Sequence, residues 1–206
     1  MMKLKLGILI SGRGTNMVAI QNAIENKSLN ATIELVISSS SKADGLIKAK
    51  NLDLPAMFIE QKKFESKHDY EKEIVLKLAE KNVDLVVLAG YMKLVSTKIL
   101  SAYKNKIINI HPSLLPSFKG LNAQQQAIDA GVKISGCTVH FVDEKLDGGA
   151  IISQQVVPIN NTDTEETLSN KILIEEHKAL PNAIKAFGEN KIKIINNKTI
   201  VKGDTQ

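Results

Sequence analysis

The run Ile107-Ile108-Asn109-Ile110-His111-Pro112-Ser113 sets an amide and an imidazole two residues apart in an otherwise apolar segment. Strand side chains repeat with period two, so Asn109 and His111 project from one face, and Pro112 ends the ladder just beyond them. Two donors side by side at a strand's carboxyl end can stabilise one developing oxyanion. A buried polar pair can equally be a satisfied structural feature, and spacing alone leaves both readings open. A second stretch bears on the choice. Asp143-Glu144-Lys145-Leu146-Asp147-Gly148-Gly149 reads as a glycine-rich loop between two strands, and a carboxylate delivered from it to His111 would favour the charged imidazole.

Two further features suit substrate binding. Gly12-Arg13-Gly14-Thr15-Asn16 falls between the first predicted strand and the first predicted helix, where backbone amides and a helix N-terminus can hold an anion. It lacks the third glycine of a dinucleotide fingerprint and the Lys-Ser/Thr ending of a nucleoside-triphosphate loop, which leaves a monophosphate or an ordinary turn with Thr15 capping the helix. Glu176 lies on the apolar stripe of the last long helix, with Leu168, Ile172, Ala179, Leu180, Ala183 and Ile184. A carboxylate there needs a salt-bridge partner if buried or a substrate hydroxyl if it lines a cleft.

Other chemistry finds little footing. The four histidines, His68, His111, His140 and His177, show no metal-ligand spacing, and one cysteine, Cys137, rules out both a Cys-x-x-Cys site and an internal disulfide. No metal is expected. Cys137 sits in an apolar-rich strand and reads as an inert buried thiol. His140, on the same strand, is expected to support the reacting groups from behind, whereas His68 and His177 read as surface or helix-face residues. Ser11 and Ser113 lack a nucleophile elbow.

The elements that must position these residues alternate. Strands are predicted at residues 3–11, 33–38, 56–59, 85–89, 107–111, 136–142 and 150–157, and helices at 17–25, 44–50, 69–81, 97–103, 123–130 and 164–187. Residues 85–89 are apolar without alternation, as a central parallel strand must be. The fold class expected is therefore α/β: a doubly wound, mostly parallel sheet in the first half, with antiparallel strands added in the C-terminal half. No repeat or linker interrupts the chain, and Pro181 is a possible kink in the last helix.

At 206 residues with 43% hydrophobic and 24% charged content, the chain can bury a substantial core. Its net charge of +5 comes almost wholly from dispersed lysines, and three Tyr, five Phe and no Trp provide no aromatic platform for nucleic acid. A mild positive field suits small anionic substrates instead. Nothing approaches a membrane span, and lysines threaded through the first eleven residues do not make a signal peptide, so a cytoplasmic, reducing location is expected.

Four segments carry a resemblance: Ile-Ser-Gly-Arg-Gly-Thr-Asn from Ile10, Val-Leu-Ala-Gly-Tyr-Met-Lys from Val87, Asn-Ile-His-Pro-Ser-Leu-Leu-Pro from Asn109 and Leu-Asp-Gly-Gly from Leu146. In this order and over residues 4–195, the chain resembles the phosphoribosylglycinamide formyltransferases of the folate-dependent formyltransferase family. The resemblance implies a single Rossmann-like domain over residues 1–206, with a phosphoribosyl-binding half (1–100) and a catalytic, formylfolate-binding half (101–206). It implies formyl transfer from 10-formyltetrahydrofolate to the amine of glycinamide ribonucleotide in de novo purine (IMP) synthesis, without a metal or a covalent enzyme intermediate. Asn109 and His111 would stabilise the tetrahedral oxyanion, and Asp147 would keep His111 charged and relay the proton through water. Gly14, Thr15 and Asn16 would hold the phosphate, with Glu176 on the ribose. Lys67, Met92, Lys93, Leu94 and Val95, together with Asn109, Val142, Asp143 and Asp147, would form the folate site, backed by His140.

Formyltetrahydrofolate deformylase shares the trio but normally carries an additional N-terminal domain, and the transferase acting on initiator methionyl-tRNA is longer and opens differently. A catalytically silent nucleotide- or folate-binding module is the alternative of another class. Lys67 and Lys93 stand where the family commonly has arginine, Asn122 where it often has histidine and Ala150 where it often has proline. A monomer or homodimer is expected, with no nucleic-acid or membrane partner.

Overall fold

A computed structural model describes residues 2–202. The chain divides into two compact units, Met1–Asn109 and Ile110–Gln206, and the division falls within one strand. The first unit holds β1 (Leu4–Ile10), α1 (Thr15–Glu25), β2 (Ala31–Ser38), α2 (Asp44–Asn51), β3 (Ala56–Phe58), α3 (Lys67–Glu80), β4 (Leu85–Leu88), α4 (Thr97–Ala102) and the start of β5 (Ile107–His111). Its strands are parallel and lie in the order β3-β2-β1-β4-β5. Such an order reverses direction beside β1, and loops at the carboxyl ends of the strands flank that reversal.

Burial explains the order. All four residues of β4 are buried, as are Leu6, Ile8, Leu9 and Ile10 of β1, because helices must cover both faces of a central parallel strand. The apolar side of α3 contributes Tyr70, Ile74 and Leu78, and Ser66 caps the helix by accepting the Asp69 amide. A methyl group at Gly7 would lie 2.4 Å from Leu78, so the absence of a side chain on β1 lets α3 approach the sheet.

The second unit holds the end of β5, α5 (Ala123–Asp129), β6 (Ile134–Phe141), β7 (Ile151–Pro158), α6 (Glu165–Gly188), β8 (Ile192–Ile195) and β9 (Lys198–Val201). β6 and β7 are antiparallel, with a register shift between Val139 and His140. The expected class, mostly parallel with antiparallel strands in the C-terminal half, is thus observed. α6 runs for 24 residues, starts in a reciprocal Thr164–Thr167 capping box, continues through Pro181 as one helix and packs on β6 and β7. Truncating fully buried Leu180 on this face to alanine would cost ~2–5 kcal/mol.

Element ends differ from the sequence reading by no more than two residues up to α6. Two features correct it. Thr15 is not the cap of α1 but its first residue: Gly14 occupies the capping position at φ 67°, with no side-chain cap. The β8–β9 hairpin lies outside the predicted elements, although Asn196 and Asn197, both at positive φ (50° and 58°), are the residue type a tight hairpin turn selects. Among the described residues, no helix is long and apolar enough to cross a membrane.

Candidate active site

β5 carries Asn109 and His111 on one face, with Asn109 half-buried and His111 buried. In the second unit, the loop after β6 brings Asp147 to His111: Asp147 Oδ2 lies 3.5 Å from His111 Nδ1 and accepts the Gly120 amide at 2.8 Å. The aspartate backbone adopts φ 45°, and Gly149 lets the loop fold back onto β6, because a methyl group there would meet the Phe141 carbonyl oxygen at 1.9 Å. A carboxylate with a side chain only 9% exposed is held against the imidazole by both features.

The other ring nitrogen, His111 Nε2, faces the Phe118 carbonyl at 2.8 Å. The ring thus lies between two acceptors, a carbonyl oxygen on one side and a carboxylate on the other. Phe118 has φ 53°, and its carbonyl also accepts from the buried Ser113 hydroxyl at 3.2 Å. The turn that presents this acceptor is therefore tied back to the residue two places after His111. Residue spacing carries no sign of Phe118, since its contribution comes through the backbone.

His140 occupies the far side of Asp147, Nε2 to Oδ1 at 3.9 Å. Burial pushes its pKa down, with the Phe141 carbonyl and Asp147 opposing the shift only in part. The separation is also too long for a hydrogen bond. His140 thus packs behind Asp147 as a neutral ring, its Nδ1–H donated to the Phe141 carbonyl at 2.7 Å. The register shift between β6 and β7 falls directly beside this residue, between Val139 and His140.

In the first unit, the loop between β1 and α1 is shaped by close backbone approach. A methyl group on Gly14 would sit 2.6 Å from the Gly45 Cα, the Gly45 amide donates to the Gly12 carbonyl at 3.0 Å, and Lys48 Nζ donates to the Arg13 carbonyl at 2.8 Å. Thr15 and the buried Asn16 form the first turn of α1, whose amides have no intrahelical acceptors. Ser11 joins this loop to the one after β4: its hydroxyl accepts the Met92 amide at 2.8 Å, and its own amide donates to the Gly90 carbonyl at 3.0 Å.

The remaining predicted positions fall as follows. Met92 and Leu94 are 68% and 64% exposed, while Lys93 and Val95 are half-buried between and beyond them. Lys93 donates its ammonium to Gln61 and lies over the Tyr70 ring, 5.4 Å from its centre. Lys67 is exposed at the start of α3, its ammonium 3.7 Å from Glu71. In the second unit, Val142 and Asp143 are half-buried, and Asp143 accepts the Lys145 amide at 2.9 Å. Glu176 is buried on α6; burial first, and Glu176 after it, push the Cys137 thiol up to about 12. His68 is exposed and His177 half-buried. No group of three or more His, Cys, Asp or Glu side chains among the described residues is arranged to hold a metal.

The formyl transferase family matches residues 4–184. The chain belongs to that family. The chain is 41% identical over 192 residues to the trifunctional purine biosynthetic protein adenosine-3 of Gallus gallus, covering 93% of the chain but only 19% of that much longer protein. It is also 41% identical over 181 residues to phosphoribosylglycinamide formyltransferase of Bacillus subtilis (strain 168), covering 88% of the chain and 93% of that enzyme. The crystal structure of glycinamide ribonucleotide transformylase 1 from Symbiobacterium toebii superposes with a TM-score of 0.95 at 41% identity, over 97% of this chain and 94% of that one.

Proposed function

We propose that this formyl transferase moves the formyl group of 10-formyltetrahydrofolate to the amine of glycinamide ribonucleotide, a step of de novo purine synthesis, in the cytoplasm. The observation that carries the reading is the Asp147 carboxylate held 3.5 Å from His111 Nδ1, two residues along the strand from Asn109. The amine nitrogen attacks the formyl carbon, a carbon–nitrogen bond forms and the formyl oxygen becomes an oxyanion. Asn109 donates its amide N–H to that oxygen, and His111 donates Nε2–H, exchanging the Phe118 carbonyl for it. The tetrahedral species then collapses, breaking the bond to the folate N10. Asp147 sustains the imidazolium and, through water, guides the proton from the attacking nitrogen to N10.

Residues 1–100 serve the phosphoribosyl group and residues 101–206 the chemistry and much of the folate site. The phosphate is assigned to the amides of Gly14, Thr15 and Asn16, which the glycine approach and the start of α1 prepare for an anion. Glu176 takes the ribose hydroxyls. The folate is assigned to Lys67, Met92, Lys93, Leu94 and Val95 and to Val142, Asp143 and Asp147, with Asn109 reaching its formyl group. Two exposed apolar side chains, Met92 and Leu94, support the first of these loops as a surface for a flat ring.

The test is an absorbance assay with 10-formyl-5,8-dideazafolate, run with and without glycinamide ribonucleotide. Deformylation that requires the ribonucleotide and yields its formylated product is expected. Deformylation by water alone would replace this reading with a hydrolase. Saturable binding without turnover would replace it with a silent module.

A further inference from the structure

Glu71, on α3, is only 2% exposed, and none of the roles above uses it. It accepts the Ser96 amide at 3.0 Å, receives the Ser96 hydroxyl and lies 3.7 Å from the Lys67 ammonium. Ser96 is the cap of α4 and closes the loop that follows β4. The residue before Glu71 grips the other end: the Tyr70 hydroxyl lies 3.2 Å from that of Tyr91, and the Tyr70 ring lies under the Lys93 ammonium. Ser11 adds a further tie through the Met92 amide at 2.8 Å. The segment from Tyr91 to Ser96 is thus clamped at both ends, and between the clamps it presents the exposed side chains of Met92 and Leu94.

A buried carboxylate is costly unless charge-assisted hydrogen bonds compensate it, and Glu71 takes its hydrogen bonds from the amide and hydroxyl of Ser96, with the Lys67 ammonium paired at longer range. Lys67 is itself among the groups assigned to the formyl donor, and Ser96 anchors the loop that carries four of the others, Met92 to Val95. We infer that Glu71 is a positioning residue for the folate, holding the 91–96 loop and the Lys67 ammonium in the arrangement the donor binds. The inference rests on the proposed function for the identity of the ligand. It predicts that Glu71 governs affinity for the donor and leaves both the chemical step and the ribonucleotide site alone, since Ser96 and Lys67 lie outside the catalytic trio and outside the loop at residues 12–16.

The experiment compares the wild-type protein with Glu71→Gln, which keeps the shape and removes the charge. Titration with 10-formyl-5,8-dideazafolate should show affinity weakened about tenfold, the scale of a missing charge-assisted hydrogen bond. Steady-state assays should show the same rise in KM for the donor, with kcat and the KM for glycinamide ribonucleotide within about twofold, a split that general loosening of the fold does not produce. Unchanged donor affinity in a variant that melts as the wild type does would overturn the inference, as would equal losses for both substrates. If Glu71→Gln does not fold, Ser96→Ala decides: donor affinity should fall by about threefold once the serine hydroxyl no longer reaches Glu71, and no change overturns the proposal. Absence of turnover in the wild-type protein would count against the proposed function instead, and the dideazafolate titration would still test the loop.

Discussion

The two loops proposed to do most of the work are built from different materials. Around Gly14 the shape comes from backbone: one glycine at φ 67°, a second glycine against it, and the opening turn of a helix. Around Asp147 it comes from side chains, a buried carboxylate between two imidazoles with a backbone amide on one oxygen. The first loop can recognise an anion of fixed geometry without a single charged side chain, because helix amides supply the field. The second must place and move a proton, which peptide groups cannot do. A backbone site should therefore fail when geometry is disturbed, and a side-chain site when one functional group is removed.

The largest effect should come from the side-chain site. Asp147→Ala and Asn109→Ala should each lower the rate by about a hundredfold or more with the fold retained, as loss of a proton-transfer group or an oxyanion donor does. A near-wild-type rate in either variant would sink the mechanism. Gly14→Ala tests the other half of the comparison. Positive φ and a 2.6 Å approach to Gly45 should together destabilise the protein by ~1–3 kcal/mol and raise the KM for the ribonucleotide, whereas Thr15→Ala, whose amide remains, should change that KM little. Melting temperature and steady-state kinetics on the pair would read this out.

A smaller effect sharpens the role of His140. Its folded-state pKa lies below the ordinary value, so the unfolded chain binds the extra proton first. The stability this group contributes is complete above pH ~6.5 and is lost as pH falls from there through the depressed folded value. His140→Gln should flatten that part of the stability-against-pH curve in urea melts. An unchanged slope would remove His140 as its source. The smallest effect concerns Cys137, whose thiol is pushed up to about 12 by burial. A buried thiol held in its neutral form reacts slowly, so at pH 8 iodoacetamide should leave the folded protein unmodified and label it only on unfolding.

Some of this architecture follows from local sequence. Period-two and helical spacing locate β1 through α6 to within two residues, because burial on one face imposes those periods wherever an element packs. Glu176 is legible because it interrupts an apolar stripe. Glu71 interrupts a stripe in the same way, at helical spacing from Ile74 and Leu78, and carries the same signal. The capping position of α1 is harder to read, because a glycine at positive φ can end a turn without any side chain, and the hydroxyl next to it looks like a better cap. The β8–β9 hairpin escapes a reading by period despite its paired asparagines, since its four-residue strands are too short for alternation to stand out.

Residue type and spacing were enough to put Asn109 and His111 on one face, because a strand's pleat decides that locally. The 3.5 Å from His111 to Asp147, the carbonyl of Phe118 on the opposite nitrogen and the grip of Glu71 on Ser96 were decided only by tertiary structure. Each joins groups separated along the chain whose meeting depends on how whole elements pack and where loops return. Period and propensity describe one element at a time; a hydrogen bond between elements is a property of their packing.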